Sequence, residues 1–369
     1  MTSDLNFELK PNLPFTLSSV ISGISSPSVK WRREARDYSD TLTKPPGSLG
    51  RLEELAAQVV AIRQDPHPSL ERRAVYVFAA DHGVTEEGVS AYPKEVTAQM
   101  VLNFLKGGAA INVLARGSQA EVVVVDVGVD ADFPETLGVL HRKVRRGTHN
   151  MLRRPAMTEA ELFAALQIGL DLAKEAHDRA RSIVAIGEMG IGNTTAASAI
   201  TAALTGESAA RVTGSGTGVS GEALLHKTNV IDATLKTHFP DRQQHPPDPM
   251  EILRRVGGLE LAAMTGMILG AASRKIPVVL DGYISTASAM IAFALQPEVK
   301  HYLFAGHQST EPGHQIQLNH MGLEPLLRLG MRLGEGTGAV LAFLLIDSAL
   351  RLHNEMATFS AAKVSGACV

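Results

Sequence analysis

The stretch that most restricts how this chain can fold is residues 182–200, SIVAIGEMGIGNTTAASAI. Four apolar residues, Ile183, Val184, Ala185 and Ile186, read as a short buried strand that ends at Gly187. The alanine-rich run after Thr195 is comfortable only as a helix. Between the two, Gly187, Gly190 and Gly192 let the backbone turn sharply and let a ligand approach the main chain. Asn193, Thr194 and Thr195 stand where a helix needs caps, beside N–H groups with no intrahelical partner. That end of a helix attracts anions, phosphate above all. An ordinary capped turn would use the same glycines; Glu188 beside the anion seat favours a ligand.

The same motif of apolar strand, turn and helix recurs from Arg73 onward. Strands are expected at 74–80, 121–127, 182–186, 276–280 and 301–305, with Asp126 at the end of the second and Asp81, Glu188, Asp281 and His307 following the others. Strands this apolar, separated by helices, make a parallel sheet covered on both faces, an α/β fold. In such sheets the ligand lies beyond the carboxyl ends of the strands, so those five side chains should crowd one rim. At 369 residues the chain has room for one large domain and a smaller one. Its net charge of −3 supplies no field for nucleic acid or an anionic membrane. No stretch is apolar for long enough to span a bilayer. The single cysteine, Cys368, cannot form an internal disulfide or a Cys-based metal site, and fits a reducing, cytoplasmic setting. Residues 1–26 lack the basic start and compact apolar run of a secretory signal and read as a loosely ordered extension.

On either side of the strands the pattern is helical. Residues 30–63 are interrupted once, at Thr43-Lys44-Pro45-Pro46-Gly47-Ser48-Leu49-Gly50, where prolines and glycines forbid a continuous helix. After Gly322 helices are expected to return, with 323–329 leading into a glycine-rich turn and then an apolar run from Val340 that reads as a buried helix. Glu335 lies between Gly334 and Gly336 at the start of that helix, with Thr337 as a cap. A carboxylate there can simply complement the helix dipole. The flanking glycines strip away cover, which suits contact with a ligand.

A second glycine loop, residues 214–221 (GSGTGVSG), contains Gly216 and Gly218 and precedes Lys227. Two such loops and a lysine suit one phosphorylated ligand, although neither has P-loop or dinucleotide spacing. His307, His314 and His320 match no metal-ligand spacing and read as ligand contacts or loop packing; no metal is expected. Asp281 is followed by Gly282 rather than a second acid, which argues against metal-pyrophosphate chemistry, and no cofactor is expected.

Lys44-Pro45-Pro46-Gly47-Ser48-Leu49-Gly50, Ala80-Asp81-His82-Gly83-Val84, the turn from Gly187 to Thr195, Arg255-Val256-Gly257-Gly258, Leu280-Asp281-Gly282 and Arg332-Leu333-Gly334-Glu335-Gly336 occur in one order. Together they resemble the nicotinate-nucleotide–dimethylbenzimidazole phosphoribosyltransferase family, over roughly residues 30–356. The resemblance implies transfer of phosphoribose from nicotinate mononucleotide to 5,6-dimethylbenzimidazole, giving α-ribazole 5′-phosphate and nicotinate. It implies a homodimer, with a large Rossmann-like α/β domain at 70–322 and a small helical domain built from 30–69 and 323–357. Residues 1–29 would then be an extension and 358–369 a tail. It places the catalytic carboxylate at Glu335, phosphate-side residues at Glu188, Gly190, Asn193 and Lys227, and a wall of the base pocket at Leu333. Tyr92 and Met100 stand where some members carry a serine and a glutamine that line the base pocket. Gly192, Thr194, Gly216, Gly218, Asp281 and Ser309 complete the expected substrate contacts.

That chemistry makes sense of the parts. The pyridinium of nicotinate mononucleotide departs as a neutral ring, so it needs neither an acid nor metal-bound pyrophosphate. The protein must hold the phosphate, stabilise a cation-like ribosyl centre and take a proton from the azole. The glycine loops and Lys227 suit the first task, Glu188 or Asp281 the second and Glu335 the third. A helix N-terminus at Glu335 should keep that carboxylate ionised. Two other readings use the same features: a metal-dependent hydrolase around His307, and a nucleotide-sensing module on the glycine turns.

Overall fold

The computed structural model describes residues 15–242 and 244–365. Residues 1–14 of the expected N-terminal extension, and Cys368, lie outside them. Six strands form one sheet: β1 (Arg73–Ala80), β2 (Ala120–Gly128), β3 (Leu140–His141), β4 (Ile183–Met189), β5 (Val278–Leu280) and β6 (Leu303–Ala305). Every pair is parallel, and the order is β3-β2-β1-β4-β5-β6. Chain direction across the sheet reverses between β1 and β4, which opens a crevice beyond their carboxyl ends. β1 is buried throughout, as a strand covered on both faces must be.

Several boundaries differ from the expectation. β4 does not stop at Gly187, because β1 is long enough to pair Phe78 with Glu188 and Ala79 with Met189. Glu188 is therefore held on a strand rather than in a loop. β5 begins only at Val278, and β6 only at Leu303, the latter because residues 297–302 wind into a 3₁₀ turn (Pro297–Tyr302) ahead of it. The two-residue β3 has no sequence signal of its own. Residues 323–336 are not helical. Residues 326–327 lie beside β6, where Leu326 N–H donates to Ala305 O (2.9 Å) and Gln308 N–H to Leu327 O (2.8 Å). The helix begins only at Thr337–Glu355.

Both ends of the described chain are tied down. A helix at Phe15–Ser22 buries Leu17 and Ile21, and Ile24 follows it into the core. Gln296 Nε2 donates to Ile21 O (3.0 Å) and Tyr302 OH to Ser25 O (2.8 Å), so this part of the expected extension is docked on the large core. The expected tail starts as structure too: Thr358 pairs with Leu42 in a bridge and caps a short helix, Phe359–Ala362. The proline-rich connector is fastened by Lys44, whose buried amine meets Glu53 Oε1 at 2.9 Å. The Val29–Ser39 and Arg51–Arg63 helices pack on each other, and the second also meets Thr337–Glu355.

Candidate active site

A cavity of about 460 Å³ opens beyond the carboxyl ends of β4, β5 and β6, roofed by residues 332–335. Glu188, Asp281 and His307 enter it from the three strands. Gly190, Asn193 and Thr194 come from the first glycine turn, and Gly216 from the second. Ser309, Leu333 and Glu335 complete the expected lining on one side, Tyr92 and Met100 on the other. Gly192, Gly218 and Lys227 are not on the wall. Gly192 is the N-cap of the Asn193–Thr205 helix at φ +94°, so glycine is needed for the turn itself. Lys227 lies behind the loops: its Nζ donates to Thr194 Oγ1 (2.9 Å) and Gly214 O (3.3 Å). Burial pushes this amine down to about 8.

Two of the five rim residues lie elsewhere. Asp81 faces a neighbouring cavity of about 820 Å³ on the β1–β2 side of the crevice. Asp126 is buried at the end of β2, accepting from Val129 N–H (2.9 Å) and pairing with Lys143 (2.8 Å). The reversal of chain direction between β1 and β4 divides the rim.

Glu335 occupies an unusual backbone. It has φ +65°, and its neighbours Gly334 and Gly336 have +91° and +93°. A left-handed, non-glycine residue costs roughly 1–2 kcal/mol and calls for support. Gly187 gives that support by lacking a side chain, since a Cβ there would overlap the carbonyl of Glu335. The carboxylate bonds a helix N-terminus other than the expected one: Oε2 accepts from Ile111 N–H (3.1 Å), in the first turn of Ala110–Gly117. The amides at the start of Thr337–Glu355 go to Asp281 instead, from Gly336 (3.0 Å) and Gly338 (2.7 Å). Burial raises the Glu335 pKa, the Ile111 amide opposes that, and the Asp281 charge adds to it. The expected preference for the ionised form is thus opposed by desolvation.

Glu188 is pushed up to about 8 by burial and then by the nearby Asp281 charge, against a hydrogen bond donated by Asn193 Nδ2. At neutral pH it is a neutral carboxyl, able to donate. His314 is pushed down to about 3 by burial. Its Nδ1 accepts from Ser309 N–H (2.8 Å) and its Nε2 meets Thr286 Oγ1 (3.0 Å), so it packs the loop. His307 lies on the cavity wall, 3.5 Å from Asp281, while His320 packs edge-on against Phe293. Among the described residues no three His, Cys, Asp or Glu side chains come together as metal ligands.

Three contributors escape a reading of the sequence. Among the described residues Arg332 is the only lysine or arginine on the wall, and its Nη1 donates to Gly216 O (2.8 Å). Its place in the Arg332-Leu333-Gly334-Glu335-Gly336 run is a signal that could have found it. Glu311 Oε1 accepts from Gly216 N–H (2.9 Å), pinning the second glycine loop. The Ile111 amide is a backbone group and leaves no mark in sequence.

A family model described as a phosphoribosyltransferase matches residues 24–364. The nicotinate-nucleotide–dimethylbenzimidazole phosphoribosyltransferase of Geobacter sulfurreducens is 52% identical over 349 residues, 95% of this chain and 98% of that protein. The protein of the same name from Chloroflexus aggregans is 51% identical over 331 residues, 90% of this chain and 93% of its own length. The crystal structure of CobT from Thermus thermophilus superposes with a TM-score of 0.86 at 48% identity, covering 91% of this chain and 99% of that one.

Proposed function

The chain belongs to the nicotinate-nucleotide–dimethylbenzimidazole phosphoribosyltransferase family, a group of pentosyltransferases, and we propose that it moves phosphoribose from nicotinate mononucleotide to 5,6-dimethylbenzimidazole with Glu335 as general base. The products are nicotinate and α-ribazole 5′-phosphate, the nucleotide of the cobalamin lower ligand. One observation carries the assignment of the base: Glu335 is a buried carboxylate on the cavity wall with Oε2 committed to the Ile111 amide, leaving Oε1 for an azole N–H.

The parts divide the work by charge. The phosphate goes to the Gly216–Thr217 backbone, Thr194 and Arg332, the one lysine or arginine among the described residues of the wall. Lys227 braces both glycine loops from behind, so its charge acts at one remove. Glu188, neutral at pH 7, offers an O–H to the ribose or to the departing ring rather than a fixed negative charge. The azole lies against Leu333, Met100, Val96 and Tyr92, where apolar surface suits a flat aromatic ring. Attack from the face opposite the pyridinium inverts the anomeric carbon. As the new bond forms, the azole becomes cationic and its N–H proton passes to Glu335.

We read the active form as a cytoplasmic homodimer, with the large 70–322 and small 30–69 plus 323–357 domains that the family resemblance implies. Among the described residues no helix is long and apolar enough to cross a membrane. The deciding experiment mixes purified protein with nicotinate mononucleotide and dimethylbenzimidazole and analyses the products by mass and chromatography. Stoichiometric nicotinate and α-ribazole phosphate are expected; hydrolysis to ribose phosphate alone, or no turnover, overturns the assignment.

A further inference from the structure

Asp281 closes β5 and reaches across to the start of the next long helix in space. Its Oδ2 accepts from Gly336 N–H (3.0 Å), and its Oδ1 accepts from Gly338 N–H (2.7 Å) and Ala339 N–H (3.3 Å). His307 Nε2 stands 3.5 Å from Oδ1. The side chain is 2% exposed, and both oxygens are taken up by backbone N–H groups. The Gly336 amide directly follows Glu335, in a turn with three consecutive positive φ values, and the Gly338 and Ala339 amides belong to the first turn of Thr337–Glu355. On the opposite side, Gly187 leaves room for the Glu335 carbonyl that any side chain would take.

We propose that Asp281 is a positioning residue, which fixes the Gly334–Gly336 turn and thereby aims the Glu335 carboxylate, rather than a contact for substrate. The proposal deepens the reading of Glu335 as the base and rests on it. Sheet and base are thus joined by one carboxylate: Asp281 follows directly on β5, Asp281 holds the helix N-terminus, and the residue just before that N-cap does the proton transfer. A carboxylate with both oxygens engaged has little left for a ribose hydroxyl. Asparagine in its place keeps the size but offers one acceptor oxygen. Its NH₂ then confronts either Gly336 N–H or the Gly338 and Ala339 pair, and the turn loses an anchor.

The test uses Asp281→Asn, Glu335→Gln and the double variant in the full chain. Asp281→Asn should lower kcat by about 10–100-fold, within the span of a misplaced catalytic group. The KM for nicotinate mononucleotide should stay near wild type. In the Glu335→Gln background the same change should cost almost nothing further, because residues acting as one unit are non-additive. Amide exchange at Gly336 and Gly338 should speed up in folded Asp281→Asn. Multiplicative losses in the double variant, or a raised KM with normal kcat, would make Asp281 an independent substrate contact and overturn the proposal. So would unchanged exchange at both amides, whatever the kinetics. Wild-type turnover in Glu335→Gln sinks the base itself, and the exchange data then still judge the clamp. Should Asp281→Asn fail to fold, Gly187→Ala displaces the turn from the other side, and the same kcat-selective loss and faster exchange are expected; normal kcat there overturns the proposal.

Discussion

Glu335 and Glu188 share one cavity and are set for different tasks by their partners. Glu335 has an amide on one oxygen and stays available as an acceptor. General base catalysis is typically worth about 10²–10⁴-fold, so Glu335→Gln should lower kcat by that order with KM nearly unchanged. A structural Glu335 would instead lower the melting temperature and spare turnover. Glu188 answers to pH in stability. Its folded pKa of about 8 lies above the ordinary 4.5, so between those values the native state binds more protons than the unfolded chain. Stability from this group therefore falls as pH rises from about 4.5 to about 8 and is flat beyond. Glu188→Gln stays neutral and should remove that decline, visible as a flatter plot of Tm against pH. Parallel slopes for both proteins would show that Glu188 ionises normally.

At the scale of elements, the most legible segment is the β4 strand with its glycine turn and helix, because apolar run, glycines and alanines all point the same way there. What escapes a sequence reading has its cause outside the segment. β4 extends to Met189 because β1 is there to pair with it, and residues 326–327 stay out of a helix because β6 presents free backbone groups. The Phe15–Ser22 helix is hard to see because eight residues, four of them apolar among serines and a threonine, are too few to fix a period; only its docking surface makes it a helix. That docking is measurable. Ile21 is 2% exposed, and Ile→Ala in a core costs about 2–5 kcal/mol. At a terminus the loss is capped by the free energy of undocking the helix, so the lower end of that range is expected for Ile21→Ala. Thermal or urea unfolding reads it, and substrate KM should not move. An unchanged Tm would mean that the helix does not contribute to the fold.

Across the whole molecule, the site is legible in sequence as a place before it is legible as geometry. Acids after apolar strands locate the carboxyl rim, but only the strand order shows that Asp81 and Asp126 lie on the far side of the switch between β1 and β4. The same order gathers Glu188, Asp281, Glu311 and Glu335 around one cavity, with Arg332 as the only Lys or Arg among the described residues that line it. Four carboxyl groups would ordinarily invite a divalent cation. Here most of their oxygens are already engaged. Asp281 gives both to backbone amides, Glu335 gives one to Ile111, and Glu311 gives one to Gly216. Glu188 receives Asn193 and is neutral at pH 7. The proposed reaction points the same way, because a pyridinium that leaves as a neutral ring builds up no negative charge for a metal to absorb. Turnover should therefore survive exhaustive treatment with a chelator, with kcat and both KM values unchanged after dialysis. Loss of activity that magnesium restores would mean that a bound cation stabilises the leaving group or the phosphate. The division of work among Arg332, Glu188 and Glu335 would then have to be redrawn around it.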